Sequence, residues 1–204
     1  MKSTLTSASL RWAIPRISAR MEQCKDMLNS LDGQLGDGDL GITMMKGFQA
    51  LQEVANDLPD DIGTALLQCA QALTKAGASS YATLLATGLM AAAKEARGQS
   101  SVAWKEVPRL LDAALEKMAS RGKSATGEKT VLDAVAAARD GAAAAAGDPA
   151  EMVRAAYASV AASLDTLRDQ PCKQGRARIF ADKSKGMDDP GMVAFKEAVA
   201  ALAP

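Results

Sequence analysis

Residues 31–43 read LDGQLGDGDLGIT, with Asp32, Asp37 and Asp39 inside eight positions and glycines between them. Like charges on so flexible a backbone repel one another unless a cation sits among them. Hard carboxylate oxygens in such a cluster suit Mg²⁺ or Ca²⁺. Ordinary loop composition, in which Asp and Gly serve as turn residues, accounts for the same letters. An EF-hand does not. Setting Asp37 and Asp39 at its first and third positions puts Gly41 at the fifth and Phe48 at the twelfth, where a bidentate glutamate is required. A lone D-x-D of the kind found in nucleotide-sugar enzymes is a weaker match.

Three further stretches carry polar, small or basic residues ahead of helical patterns. KAGASSYAT (75–83) places Gly77, Ala78, Ser79 and Ser80 before an apolar run, where a ligand could approach backbone amides at a helix N-terminus. A plain serine N-cap explains it equally. RGKSATGEKTVLDA (121–134) has Gly122 and Gly127 ahead of another helix start, and GRARIFADKSKGMDDPG (175–191) brings Arg176, Arg178, Lys183 and Lys185 before Asp189-Pro190-Gly191. By composition alone these charges read as a solvated loop.

Histidine is absent from all 204 residues, which removes the Ser-His-Asp triad, histidine-ligated zinc, an imidazole base and any phosphohistidine carried here. Lys+Arg and Asp+Glu balance at 24 each, which disfavours a nucleic-acid binder or a basic membrane-surface protein. Cys24, Cys69 and Cys172 are widely spaced and odd in number. They read as free thiols, Cys24 and Cys69 buried on apolar helix faces, in a reducing compartment. With no signal-like apolar segment and no confident membrane span, a cytoplasmic location is expected.

These stretches must be positioned by helices. Only 3% of residues are aromatic against 48% hydrophobic, so the apolar content is mostly Ala, Leu, Val and Met, as in thin, closely packed helices. Leu10, Ile14, Ile17, Met21, Cys24, Leu28 and Leu31 form a helical stripe, with Pro15 marking a start or a kink. Seven more stripes follow, beginning near Met44, Ile62, Tyr81, Leu110, Val131, Met152 and Met192. Asp148-Pro149 and Asp189-Pro190 read as N-cap plus Pro at N1. The Tyr81–Ala93 run is apolar on every side and is expected to be enclosed by the others. No alternating run is long enough for a convincing strand. The expectation is one all-α domain over 1–204, an eight-helix antiparallel up-and-down barrel or bundle. Alternate loops of such a bundle share one end, so the four stretches, following helices 1, 3, 5 and 7, would form a composite site for a metal and a polyphosphate. Phosphoryl transfer fits that chemistry and needs no histidine.

The motifs LDGQLGDGDLGITMMKGF, GASS, GEKTVLDA and GRARIFADKSKGMDDPG occur in the order and approximate spacing of one family. The chain resembles, over nearly its whole length, the nucleotide-binding L subunit of dihydroxyacetone kinase. The resemblance implies an eight-helix barrel with ADP or ATP and two Mg²⁺ at its loop end. It implies Asp32, Asp37 and Asp39 as metal ligands. Leu40, Gly41, Ile42 and Thr43 would lie beside the phosphates, and Ala78 and Ser79 in the small-residue loop near the nucleotide. Gly122 and Val131 would line the adenine pocket. Arg176 would be the nucleotide-contacting, catalytic arginine, and Asp189, Pro190 and Gly191 the terminal D-P-G. The implied partners are a separate K subunit holding a ketose such as dihydroxyacetone or erythrulose, a phosphohistidine protein of the sugar phosphotransferase system where ATP is not the donor, and a second copy of the chain. Leu40 and Met187 stand where the family commonly has histidine, and the serine loop is about two residues short. Two other readings fit a nucleotide site: a non-catalytic ADP-Mg²⁺-binding regulator, and the nucleotide domain of a fatty-acid kinase.

Overall fold

The structure is a computed structural model that describes residues 4–77, 79–145 and 147–203, and within them every side chain except those of Arg176 and Phe180. Its helices are α1 (Ser7–Asp32), α2 (Leu40–Val54), α3 (Ile62–Ala76), α4 (Ser80–Glu95), α5 (Val107–Gly122), α6 (Val131–Ala144), α7 (Pro149–Leu167) and α8 (Pro190–Ala200). Each expected stripe is a helix. The apolar spacing of α1 buries Ile14, Met21, Cys24 and Leu28, and the helix begins at Ser7, well before Pro15. Asp148 and Asp189 cap α7 and α8 with Pro at the first helical turn, as their dipeptides indicate.

Consecutive helices pack side by side, and α8 returns to α1, so the helices close into a ring. Closure is fastened by a two-pronged ion pair: Arg20 of α1 donates through Nε (2.8 Å) and an Nη (2.5 Å) to Glu197 of α8, which is only 8% exposed. The core runs through the ring from Met21 and Leu28 to Val160 and Met192. At the end away from the aspartates, β1 (Thr4–Leu5) pairs antiparallel with β2 (Val102–Ala103), a two-residue ladder too short for any alternation to show in sequence.

Enclosure falls on a different helix from the one expected. Met90 of α4 is 46% exposed, whereas Pro190–Ala194 of α8 are all buried and α8 packs on α1, α2, α6 and α7. The uniform apolarity of α4 comes largely from Ala and Gly, which permit close packing on α3 and α5 without needing cover on the outer face.

Helices α1 and α2 come into close contact at Gly41, where an added Cβ would lie 2.0 Å from the carbonyl oxygen of Lys25. That oxygen belongs to helix backbone and has no room to yield. Gly41→Ala is therefore expected to cost about 1–3 kcal/mol through overpacking and to lower the midpoint of thermal unfolding by several degrees, measured by circular dichroism.

Candidate functional site

A cavity of about 1210 Å³ opens at the end of the ring reached by the loops after α1, α3, α5 and α7. Asp32, Asp37 and Asp39, Thr43, Ser79, Gly122, Val131 and the Asp189-Pro190-Gly191 turn all line it. Ala78 and the side chain of Arg176 lie outside the described residues; the backbone of Arg176 opens a 3₁₀ helix over Arg176–Ser184.

The acidic group is assembled by the turn between α1 and α2. Leu35, 2% exposed, anchors the turn in the core, and Gly38 takes a left-handed φ of +75° that L side chains rarely adopt. The chain thereby folds back on Asp32, whose Oδ2 accepts from the amides of Gly38 (2.9 Å) and Asp39 (3.1 Å). One carboxylate oxygen from each of Asp32, Asp37 and Asp39 lies within 4.8 Å of the other two. Asp32 terminates α1, whose last turn contains no basic residue. A carboxylate there meets the negative end of the helix dipole, the reverse of the usual preference. Oxygen-only ligands, partly exposed and gathered on a glycine-bearing turn, fit a hard divalent cation such as Mg²⁺.

Every even-numbered helix begins at the cavity, α2 beside the carboxylates themselves. Asp39 occupies the N-cap of α2 without a side-chain capping bond, and the same holds for Ser79 at α4. Thr130 caps α6 by accepting from the Leu132 amide (3.2 Å), and Asp189 caps α8 by accepting from Met192 (2.8 Å). Four positive dipole ends at one mouth make an anion-attracting surface beside a cation-attracting one.

The candidates take different places around it. Thr43 gives its amide to the Asp39 carbonyl (2.9 Å), so what it can present to the cavity is its hydroxyl. Leu40 is 7% exposed and packs in the core while forming part of the wall, so this position offers the cavity no polar side chain. Ile42, 39% exposed, stands on the rim. Gly41 does not line the cavity: it faces α1, where its lack of a side chain admits the Lys25 carbonyl.

Sequence reading missed several wall residues. Lys46 lies one turn beyond Thr43 on the same face of α2, a spacing that could have pointed to it. Arg121 and Arg178 add cationic groups, and Tyr81 donates its hydroxyl to the Gly191 carbonyl (2.8 Å). Burial pushes the Tyr81 phenol far above its ordinary range, with the Asp189 charge adding to it, so it stays a donor. Gln174 bridges two loops by donating to Glu128 (2.9 Å); nothing in its neighbourhood in sequence marks it.

The chain belongs to the DAK2 domain family, which matches residues 34–204. Among its relatives is the triokinase/FMN cyclase of Homo sapiens, 32% identical over 197 residues, covering 92% of this chain and 34% of that protein. The chain thus spans about a third of that relative's length. Another is the ADP-binding subunit DhaL of PEP-dependent dihydroxyacetone kinase 1 of Listeria innocua, 29% identical, with 90% of this chain and 88% of that one covered. The fold is that of the dihydroxyacetone kinase of C. freundii, solved with AMP-PNP and Mg²⁺: TM-score 0.76, 22% identity, all of this chain and 35% of that chain covered.

Burial pushes the Asp189 carboxyl up to about 7 from 3.8; the charge of Asp133 adds to this, while the Met192 amide and Lys129 pull the other way. The folded chain therefore holds this proton more tightly than the unfolded one. Its stabilising contribution is complete below pH 3.8 and is lost as the pH rises through about 7. Asp189→Asn keeps a capping oxygen but no titration. Its melting temperature relative to wild type is expected to climb across that pH window and level off above it; a constant gap in differential scanning calorimetry contradicts this assignment.

Proposed function

We propose that this chain is the ADP- or ATP-binding phosphoryl-donor subunit of a dihydroxyacetone-type kinase, acting on a short-chain ketose held by a separate K subunit. The carrying observation is the meeting of three carboxylates with the N-termini of α2, α4, α6 and α8 at one mouth. Carboxylates hold cations, helix N-termini hold phosphates, and a metal-bound polyphosphate satisfies both. The substrate class is supported by the Listeria relative, most of whose length is matched.

In this reading Asp32, Asp37 and Asp39 would hold Mg²⁺, two ions as in the family. When bound, magnesium supplies charge neutralisation to the phosphates. The Thr43 hydroxyl and the α4 N-terminus at Ser79 face the phosphates, and Val131, Leu84 and Gly122 give the base an apolar wall. Arg176 is assigned to the charge of the transferred group, and Lys46 and Arg178, which line the cavity, are available to share that role. Because these 204 residues contain no histidine, a phosphohistidine donor would have to recharge the bound nucleotide rather than this chain. Rim residues Ile42 and Ile179, the latter 76% exposed, offer the K subunit an apolar contact. Three free, buried thiols suit the cytoplasm. Among the described residues no helix is long and apolar enough to cross a membrane.

Asp37 is exposed and outside the core, so Asp37→Asn is expected to leave the helical spectrum unchanged while weakening ADP-Mg²⁺ binding by about tenfold or more. Titration calorimetry of both proteins checks this, and equal affinities would remove the metal site. A coupled assay should then give phosphorylated dihydroxyacetone or erythrulose only when chain, K subunit and a phosphoryl donor are all present. Running ATP and the phosphotransferase proteins in separate arms identifies that donor.

A further inference from the structure

Lys129 heads the large side chains with almost no exposure, at 2%, and its backbone adopts a left-handed φ of +61°. Burial is unfavourable for a lysine unless its ammonium is fully hydrogen-bonded, and the left-handed φ adds a separate backbone cost. It donates to three main-chain carbonyls: Arg168 at 2.7 Å, Gln170 at 2.8 Å and Ser184 at 2.8 Å.

Two of these carbonyls lie at helix ends, and that of Gln170 in the bend just beyond the first. Arg168 is the C-cap of α7, and Ser184 is the last residue of the 3₁₀ helix. Helix C-termini carry orphan carbonyls and negative partial charge, so one cation serves both. Between them the chain leaves the ring, lays Gln174, Ala177 and Arg178 on the cavity wall, and returns. The neck of that excursion is tied at the same place by other bonds. Cys172 N–H donates to Ser184 Oγ (2.7 Å), Gly186 N–H to the Arg168 carbonyl (2.9 Å), and Lys173 N–H to the Glu128 carbonyl (3.2 Å).

We infer that Lys129 is a positioning residue whose ammonium clasps the neck of this excursion and thereby holds the segment bearing Arg176 and Arg178 against the bound nucleotide. The inference rests on the nucleotide reading above. The clasp reaches from the loop that opens α6, so two walls of the cavity move as one. Lys129 touches no nucleotide in this scheme; it acts only through the segment.

Lys129→Met keeps the length and removes the donors. The expected result is an ADP-Mg²⁺ dissociation constant raised about tenfold or more, as misplacement of a contacting segment produces. Hydrogen exchange at Cys172 and Gly186 should be faster, with unchanged protection in α1 to α4. A purely structural lysine would lower the melting temperature and leave the affinity of folded protein alone. Unchanged affinity and exchange in the folded variant overturn the clasp. Should the Met variant not fold, Lys129→Arg serves instead. Its larger planar fork retains the cation but spreads its donors in one plane and cannot reproduce three carbonyls converging on a single nitrogen, so it must bind ADP-Mg²⁺ more weakly; equal affinity is disproof. In the unmodified chain ADP-Mg²⁺ must slow exchange at Cys172 and Gly186, and no slowing also counts against it. Asp37→Asn run in parallel separates the two ideas. Normal ADP-Mg²⁺ binding by it removes the carboxylate metal site and leaves the clasp standing. Absence of ADP-Mg²⁺ binding by the unmodified chain sinks the nucleotide reading, and altered exchange in Lys129→Met reports on the clasp alone.

Discussion

Three carboxylate oxygens within 4.8 Å of one another, at the C-terminal end of a helix, set the central constraint on this molecule. Two unit charges at about 4 Å repel by roughly 4 kcal/mol at an effective dielectric of 20, and the exposure of Asp37 and Asp39 screens this substantially. The chain offsets part of what remains. Two amides point at Asp32, and α2 begins beside the cluster with its positive end. The remaining imbalance is what a divalent cation would relieve. In an antiparallel ring the geometry that puts the end of α1 at the mouth also puts the starts of α2, α4, α6 and α8 there, so attraction for cations and for anions comes from one topological fact.

The loops at the mouth are joined to one another rather than standing singly. Asp133 closes a capping box on Thr130 and also accepts from the Gly127 amide, which fixes the entry to α6. Glu128 accepts from Ser124 (2.7 Å) and the Ala125 amide (3.1 Å) as well as from Gln174, and these bonds hold its carboxyl below the usual range. Tyr81 ties the start of α4 to the start of α8. The Gln174–Glu128 and Tyr81–Gly191 bonds link elements distant in sequence, so the cavity is shaped by the assembled ring and not by any one loop.

Most of the architecture was legible because amphipathic helices write their buried face every three to four residues, and because Asp-Pro marks a helix start chemically. Loop parity then brought the four motif stretches to one end, where the structure has them. What escaped the sequence was long-range. Gly41 reads as a loop-adjacent glycine near phosphate, but the neighbour that demands it is the Lys25 carbonyl across a helix crossing. Lys129 looks like a solvated charge until the carbonyls of Arg168, Gln170 and Ser184 arrive from elsewhere. The exposure of Met90 and the burial of α8 depend on which helices flank them, and composition is silent on that. Lys46 was within reach of reasoning; Gln174 was not.

Fastening α8 to α1 through Arg20 and Glu197 gives the ring no intrinsic first member. Since α1 runs toward the cavity and α8 away from it, the backbone could be severed at another connection on the far side and the original extremities spliced, with every lateral neighbour preserved. Such rearranged versions would keep the mouth whole and change only the order in which its walls are synthesised.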